Sequence, residues 1–173
     1  MGCNCNKNKL NPEPPKTPEE SKKQLKDIFA NKLGMIASFA KSIASRGLTD
    51  KKIEEPVKQL RVLSCFGNEQ YGGTIVACEH LKNSETQGKF FCGGCGCGDK
   101  PRTWLIGNSD EYSKLDYPSL NCPLKMPGFT NYEPSTIEEQ QAPNNRKFAI
   151  ENVEYMDLQK IQVTTNETKQ HLQ

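Results

Sequence analysis

The stretch FFCGGCGCGDK, residues 90–100, places three of the chain's eight cysteines and four glycines within eleven residues. Its centre, Cys92-Gly93-Gly94-Cys95-Gly96, has the spacing of the Cys-x-x-Cys-Gly knuckle found in zinc ribbons and rubredoxin-like sites. Two thiolates three residues apart bind one ion only where the backbone curls around it, and glycines permit that curl. The stretch therefore predicts metal coordination as the organising feature of the fold.

Other segments must supply the remaining ligands, because one knuckle provides two of the four ligands of a tetrahedral site. Cys78-Glu79-His80 lies upstream of the knuckle, and Cys122 lies downstream in a turn fixed by a proline. The predicted metal ligands are Cys78, Cys92, Cys95 and Cys122, with Cys97, Cys65 and His80 as alternates. A site closed by four thiolates leaves no open position, so the metal is expected to be structural.

Zinc is the predicted cofactor, because zinc favours four tetrahedral sulfur or nitrogen ligands. Six cysteines lie between residues 65 and 122, two more than one zinc ion requires. This surplus keeps an iron–sulfur (4Fe-4S) cluster as the alternative, although a ferredoxin loop would place its third cysteine at position 98 and not at Cys97. A third hypothesis makes Cys92 and Cys95 a redox-active pair, for which the insert Gly93-Gly94 is unusual.

The composition is poor in apolar residues, since hydrophobic side chains make up 34% of 173 residues and the mean hydropathy is −0.75. A chain with so small a core is expected to need a metal to stabilise it. The net charge of +2 argues against a nucleic-acid partner on bulk electrostatics, and no run approaches the roughly 18 apolar residues of a membrane span. The polar start MGCNCNKNKL lacks the apolar region of a secretory signal, which predicts a reducing, cytoplasmic location.

A long amphipathic helix is predicted for residues 17–47. Thr17-Pro18-Glu19-Glu20 is a capping-box signal for its start, and Arg46-Gly47 is typical of a helix end. Apolar residues recur at spacings of three and four and form one wide stripe, which is expected to fold onto the metal module or to bind a partner. The predicted partner-binding residues are Ile28, Phe29, Leu33, Ile36, Phe39 and Ile43.

The balance of charge changes along the chain and divides it into parts. Residues 1–58 carry 12 basic and 7 acidic residues, residues 59–129 carry 7 of each, and residues 130–173 carry 4 and 7. The predicted parts are a flexible arm at 1–16, the helix at 17–47, a connector at 48–58, a cysteine-rich metal-binding module at 59–129 and a largely extended or disordered tail at 130–173. Short strands are predicted at 60–63, 74–77, 90–91 and 103–106. Residues 148–163 alternate enough to form a strand or hairpin on binding, which the sequence does not decide. The predicted fold class is a small α+β fold, with a long N-terminal helix, an irregular metal-stapled β module and flexible N- and C-terminal extensions.

Catalytic chemistry has little support in the sequence. A cysteine nucleophile needs a nearby base, and His80 and His171 are the two histidines of the chain. The glycines around Cys95 precede no predicted helix, so they match neither a phosphate-binding loop nor a dinucleotide fingerprint. The sequence therefore predicts a non-enzymatic protein that binds a protein partner and no small-molecule substrate, with Cys3 and Cys5 as free thiols in the arm.

Six strings of the sequence carry a resemblance to a known group of proteins. They are ASRG (44–47), PVKQLRVLSCFGNE (56–69), CEHLKNSET (78–86), FFCGGCGCGDK (90–100), EYSKLDYP (111–118) and CPLKMPGF (122–129). With them, the chain resembles cysteine-rich proteins of marine tailed phages, especially T4-like cyanophages. The resemblance implies a phage-encoded metal-binding protein with phage structural proteins as partners. Its implied location is the cytoplasm of the infected cell or the virion tail or neck, and it supplies no activity.

Overall fold

The computed structural model describes residues 18–49, 52–105 and 113–153. In these residues the helices are α1 (Pro18–Thr49), α2 (Glu55–Phe66), α3 (Ile137–Gln141) and α4 (Arg146–Glu151), and the strands are β1 (Leu81–Asn83) and β2 (Phe90–Cys92). The predicted small α+β class with a long N-terminal helix is confirmed. The predicted flexible arm, Thr17, residues 106–112 and the tail beyond 153 lie outside the described residues.

Helix α1 begins at the predicted proline, Pro18, and continues to Thr49, two residues beyond the predicted end at Gly47. A glycine inside a helix costs about 1 kcal/mol relative to alanine and does not by itself end the helix. Although α1 has 32 residues, none of the helices in the described residues is apolar enough over a sufficient length to cross a membrane.

Helix α2 corrects the strand predicted at 60–63 and takes up residues 55–58 of the predicted connector, because Glu55–Phe66 is one continuous helix. Pro56 lies in its first turn, where the missing N–H is not needed and the fixed φ suits a helix. The helix ends at Gly67, which has φ 66° and donates its N–H to the carbonyl of Leu63 at 2.9 Å. Pro56 therefore starts a helix and does not break one.

Arg61 connects α2 to the loops that complete the core. Its buried guanidinium donates to the carbonyl oxygens of Gly128 at 2.6 Å, Tyr117 at 2.7 Å and Leu115 at 3.0 Å. Burial lowers the pKa of Arg61 to about 10. Gly128 has φ 85°, and a β-carbon there would lie 3.1 Å from the backbone nitrogen of Arg61. This loop therefore approaches the backbone of α2 closely. The apolar core around these contacts consists of Phe39, Leu63, Ile75, Leu105, Leu115, Tyr117, Leu120, Cys122, Met126, Phe129 and Ile150.

Strands β1 and β2 form an antiparallel pair in which Leu81 lies opposite Cys92 and Asn83 opposite Phe90. The predicted strand at 90–91 is confirmed, and Phe91 also forms an isolated bridge with Trp104. The strand predicted at 74–77 is wrong. There, Ile75 exchanges hydrogen bonds of 2.8 Å with Asn68, so its backbone groups are satisfied without a strand partner.

The described part of the predicted tail, residues 130–153, contains α3 and α4 and is therefore not simply extended. Thr136 accepts the N–H of Glu139 and so caps α3, and Asn145 caps α4 in the same way. Ile150 is fully buried, and Arg146 donates to the Leu63 carbonyl of α2 at 3.4 Å. In the chain without a partner, residues 148–151 belong to α4, and the strand or hairpin considered for 148–163 on binding stays untested.

Candidate metal centre

Five thiols and one imidazole surround a small cavity between the end of α2, the β1–β2 hairpin and the loop at 120–123. The cavity has a volume of about 30 Å³. The sulfur- and nitrogen-bearing side chains that line it are Cys65, Cys78, Cys92, Cys95, Cys122, His80 and Lys114. The structure thus brings together the four predicted ligands and two of their three alternates, and all six described cysteines are free thiols.

Two hydrogen bonds within the Cys92–Cys97 knuckle fix the position of the Cys95 sulfur. The N–H of Cys97 donates to Cys95 Sγ at 3.4 Å, and the Cys95 thiol donates to the Cys92 carbonyl oxygen at 3.2 Å. Gly96, between them, has φ 71°, which a residue with a β-carbon rarely adopts. A backbone N–H directed at sulfur favours the thiolate over the thiol. The predicted role of the glycines in the curl is therefore met locally.

A second turn presents Cys122 to the cavity from the opposite side. Lys125 donates its N–H to the Cys122 carbonyl at 3.0 Å, and Asn131 fixes the same residue through two bonds of 2.8 Å. Burial raises the pKa of Cys122, while the backbone N–H groups of Met126 and Leu124 act to lower it. The sulfur of Cys122 therefore faces backbone donors, as that of Cys95 does.

Cys65 and Cys78 complete the lining from the end of α2 and the segment that follows it. The N–H of Cys78 donates to the Cys65 carbonyl at 2.9 Å, which ties the two backbones together. Burial raises the pKa of Cys65, and the neighbouring thiols of Cys122 and Cys78 raise it further. Cys65, predicted as a later alternate than Cys97, is thus close to two of the four predicted ligands.

Lys114 lies inside this group of thiols. The residue is only 3% exposed, and its ammonium donates to Cys95 Sγ at 3.0 Å. The same nitrogen lies 4.3 Å from the centre of the Phe39 ring on α1. Burial acts to lower the pKa of Lys114, but the charges of Cys95 and Cys97 outweigh it and raise the pKa.

The thiols nearest Lys114 are shifted in opposite directions. Hydrogen bonds from the thiols of Cys92 and Cys97 lower the pKa of Cys95 well below its usual range, and Lys114 lowers it further. The hydrogen bond to Cys95, together with burial, raises the pKa of Cys92 and also that of Cys97. The pKa of Cys95 is thus lowered, those of Cys92 and Cys97 are raised, and the ammonium of Lys114 lies beside Cys95.

Cys97 does not line the cavity, although it was predicted as the first alternate ligand. It lies instead on a separate groove of about 520 Å³ between α1 and the loop at 97–103, together with Phe39 and Ile43. No three cysteine, histidine, aspartate or glutamate side chains of the described residues stand, as placed, in an arrangement that holds a metal ion. The thiols surround a common space without converging on one point.

His80 covers one side of the knuckle. A β-carbon added to Gly94 would lie 2.4 Å from His80 Cδ2, so the imidazole packs directly on the glycine backbone. The N–H of Gly93 also donates to the His80 carbonyl at 2.8 Å. The imidazole of His80 can therefore pack in this position only because residue 94 has no β-carbon. A β-carbon on Gly93 would first contact the flexible side chain of Lys82, at 3.2 Å.

The six predicted partner-binding residues of α1 fall into two groups. Ile28, Phe29, Leu33 and Ile36 are exposed, whereas Phe39 is 7% exposed and packs on Tyr117 with ring centres 5.4 Å apart. Ile43 is half-buried against the same core. Phe39 and, in part, Ile43 therefore follow the alternative in which the stripe folds onto the chain's own core, and partner binding by the exposed residues stays a prediction.

Sequence reasoning missed Lys114 and Arg61, which occupy the interior. Lys114 lies in the mainly polar string EYSKLDYP, whereas Arg61 interrupts the apolar run Leu60-Arg61-Val62-Leu63, which was the one indirect sign of its burial. No protein-family model, curated protein or solved structure matches the chain.

Proposed function

We propose that this chain is a non-enzymatic structural and interaction protein whose cavity cysteines hold one structural zinc ion. The observation that carries the proposal is the buried ammonium of Lys114 among five thiols, 3.0 Å from Cys95 Sγ. A buried cation is costly unless negative charge compensates it. Thiolates bound to an ion supply such charge permanently, because zinc ligates the deprotonated form of cysteine.

The charge balance of a tetrathiolate site agrees with this placement. Four thiolates around one divalent ion carry a net charge of about −2, and a neighbouring lysine reduces it to about −1. N–H donors around the sulfurs orient ligands and tune a metal site. Cys95 accepts such bonds from Lys114 and from the N–H of Cys97.

The donor set and the cavity also fit a single ion. The residues that would hold it are Cys78, Cys92, Cys95 and Cys122, with Cys65 as the substitute from within the cavity. A volume of about 30 Å³ is on the scale of one ion or water. Ligation would require the thiols to turn inward, which rotation about χ1 achieves between staggered rotamers. Bound zinc would supply on the order of 10 kcal/mol of folding free energy.

An iron–sulfur (4Fe-4S) cluster, in an electron carrier or as a structural group, is the second candidate. The observation that favours it is the fifth thiol in the cavity, because four cysteines suffice for zinc. Colour separates the two candidates. Protein purified without oxygen is expected to be colourless with zinc, whereas a brown solution with acid-labile sulfide would indicate the cluster.

The proposal includes a phage origin, with the protein in the infected cell or in the virion tail or neck. Its support is the resemblance of the six sequence strings. Mass spectrometry of purified particles tests the virion location, which predicts a defined copy number per particle.

Cys95→Ser, compared with Cys97→Ser, tests the metal site. Both changes replace sulfur by oxygen in the same loop, but Cys95 lines the cavity and Cys97 does not. Cys95→Ser is expected to lose bound zinc and the cooperative thermal transition, and Cys97→Ser to retain both. Full zinc content and an unchanged transition in Cys95→Ser would show that the assignment is wrong.

A further inference from the structure

Helix α1 crosses directly over the knuckle and then extends beyond it. A β-carbon on Gly96 would lie 3.5 Å from both Ile36 Cδ1 and Lys32 Cβ, so the helix approaches the knuckle backbone here. C-terminal to this crossing, Phe39 is buried in the core. N-terminal to it, the same stripe lies exposed. We call this the free stripe, and its residues are Leu25, Ile28, Phe29, Leu33 and Ile36, which are 41–65% exposed.

Lysines border the free stripe. On a helix, residues three or four positions apart are neighbours. Lys22 and Lys26 are each three positions before a stripe residue, and Lys32 is four from both Ile28 and Ile36. The acidic residues Glu19 and Asp27 have no stripe residue at these spacings. The stripe therefore combines an apolar centre with a basic border.

One side of the free stripe faces the metal module across a cleft of about 550 Å³. The α1 wall contains Ile28, Lys32 and Met35, and the opposite wall contains Gly94 of the knuckle and Pro123 and Lys125 of the Cys122 turn. The cleft is large enough for one or two apolar side chains of another molecule. Its second wall consists of the two turns that present Cys95 and Cys122.

We propose that the free stripe and this cleft dock an acidic amphipathic helix of a partner protein. The stripe from Leu25 to Ile36 spans about 17 Å at 1.5 Å per residue, or about three helical turns of a partner. Apolar residues of that helix cover the stripe and enter the cleft, and its carboxylates pair with Lys22, Lys26 and Lys32. This inference rests on the proposed function, because the metal-held turns form one wall.

The basic border and the cleft make two other occupants less suitable. In a second copy of α1 the same lysines would border the facing stripe, and like charges across an interface oppose association. A membrane surface is broad and flat, whereas Ile28 and Met35 face the module wall across the cleft. An acidic helix meets both the charge and the concave shape.

The test measures binding of two synthetic amphipathic peptides to the zinc-loaded full chain by fluorescence anisotropy. One peptide carries leucines on one face and glutamates on the other, and the control peptide has lysine in place of every glutamate. The acidic peptide is expected to bind, and salt is expected to weaken binding. The double change Lys26→Glu with Lys32→Glu is expected to weaken it about tenfold. The matched control, Lys23→Glu with Lys41→Glu, alters the same charge on α1 away from the stripe and is expected to have an effect below about twofold.

Several results would overturn the docking surface: no binding of the acidic peptide, equal binding of the lysine peptide, or equal effects of the two double changes. Concentration-dependent dimers in sedimentation, blocked by Phe29→Glu, would assign the stripe to a second copy instead. Preferential binding to phosphatidylglycerol vesicles would assign it to a membrane. Zinc content measured on the same samples distinguishes the failure of the docking surface from the failure of the metal site. Zinc-loaded protein that does not bind the acidic peptide contradicts the docking surface alone. Metal-free, folded protein that binds it with the expected lysine dependence supports the docking surface and contradicts the metal site.

Discussion

The side of the molecule around α2 and the side around the Cys92–Cys97 knuckle bury different kinds of groups. Around α2, the side chains of Leu63, Leu115 and Ile150 are fully buried, and Arg61 connects them to the loops through four hydrogen bonds to carbonyl oxygens. Around the knuckle, five thiols and the buried ammonium of Lys114 line the cavity together with the buried side chains of Leu105, Leu120 and Phe129, and the glycines Gly93 and Gly96 are exposed. The first side is a conventional core with a polar connection, and the second places sulfurs and a charged ammonium among its apolar contacts.

This difference shows where a metal would act. Burial of a large apolar side chain contributes about 1.5–3 kcal/mol, and the α2 side has several. The knuckle has exposed glycines and buries an ammonium beside Cys95, so it gains less of this free energy, and we expect its folding to need another source. In our account a bound ion stabilises the knuckle side, and hydrophobic packing with Arg61 stabilises the α2 side.

Arg61→Met is expected to produce the largest loss on the α2 side. It leaves the carbonyls of Leu115 and Tyr117 without their donor, and each unsatisfied buried group costs about 1–3 kcal/mol. The free energy of unfolding in urea should fall by about 4 kcal/mol. Arg102→Met, at an exposed arginine, is the control and should change it by less than about 0.5 kcal/mol. If Arg61→Met lowered the free energy of unfolding by less than about 1 kcal/mol, the arginine would not be a main stabilising contact of the α2 side.

Lys114→Met is expected to weaken the knuckle side selectively. The thiolate of Cys95 loses its ammonium donor and buried counter-charge, so zinc affinity in a competition assay should fall about 10- to 100-fold. Lys41→Met, on the exposed face of α1, is the matched control and should leave zinc affinity unchanged. Unchanged affinity in Lys114→Met would mean that the lysine does not act on the metal site.

Gly94→Ala compared with Gly93→Ala isolates the packing of His80 within one knuckle. The added methyl at 94 meets the imidazole ring, whereas the one at 93 meets a lysine side chain that can move. Gly94→Ala should therefore lower the free energy of unfolding by about 1–3 kcal/mol. Gly93→Ala should lower it by clearly less. Equal losses would show that the cost comes from the backbone conformation of the two glycines and not from contact with the imidazole of His80.

Cys65→Ala and Cys97→Ala are expected to give the smallest effects, and their order distinguishes the ligand sets. Cys65 lines the cavity, so its loss should lower zinc affinity if it exchanges with another ligand. Cys97 faces the groove beside Phe39, and its removal should leave zinc content unchanged. A greater loss of zinc in Cys97→Ala than in Cys65→Ala would instead support Cys97 as the first alternate zinc ligand.

The sequence was sufficient where local spacing decides the structure and insufficient where distant segments meet. Cys92, Cys95 and Gly96 lie in one turn, so their spacing predicted it. Residues 55–58 were assigned to a connector because whether Pro56 begins a helix depends on the residues that follow it. The burial of Arg61 and Lys114 depends on carbonyls and thiols far along the chain, and a single sequence carries no direct sign of it. The stripe of α1 was predicted as one surface, but its division at Ile36 depends on how far the module extends along the helix.

Quantification of zinc, iron and acid-labile sulfide per chain, on protein purified without added metal or chelator, tests the account of the knuckle side. We expect about one zinc ion per chain, neither iron nor sulfide, and loss of the cooperative thermal transition when a strong chelator removes the zinc. A folded protein with no metal, whose thermal transition is the same with and without added zinc, would contradict it.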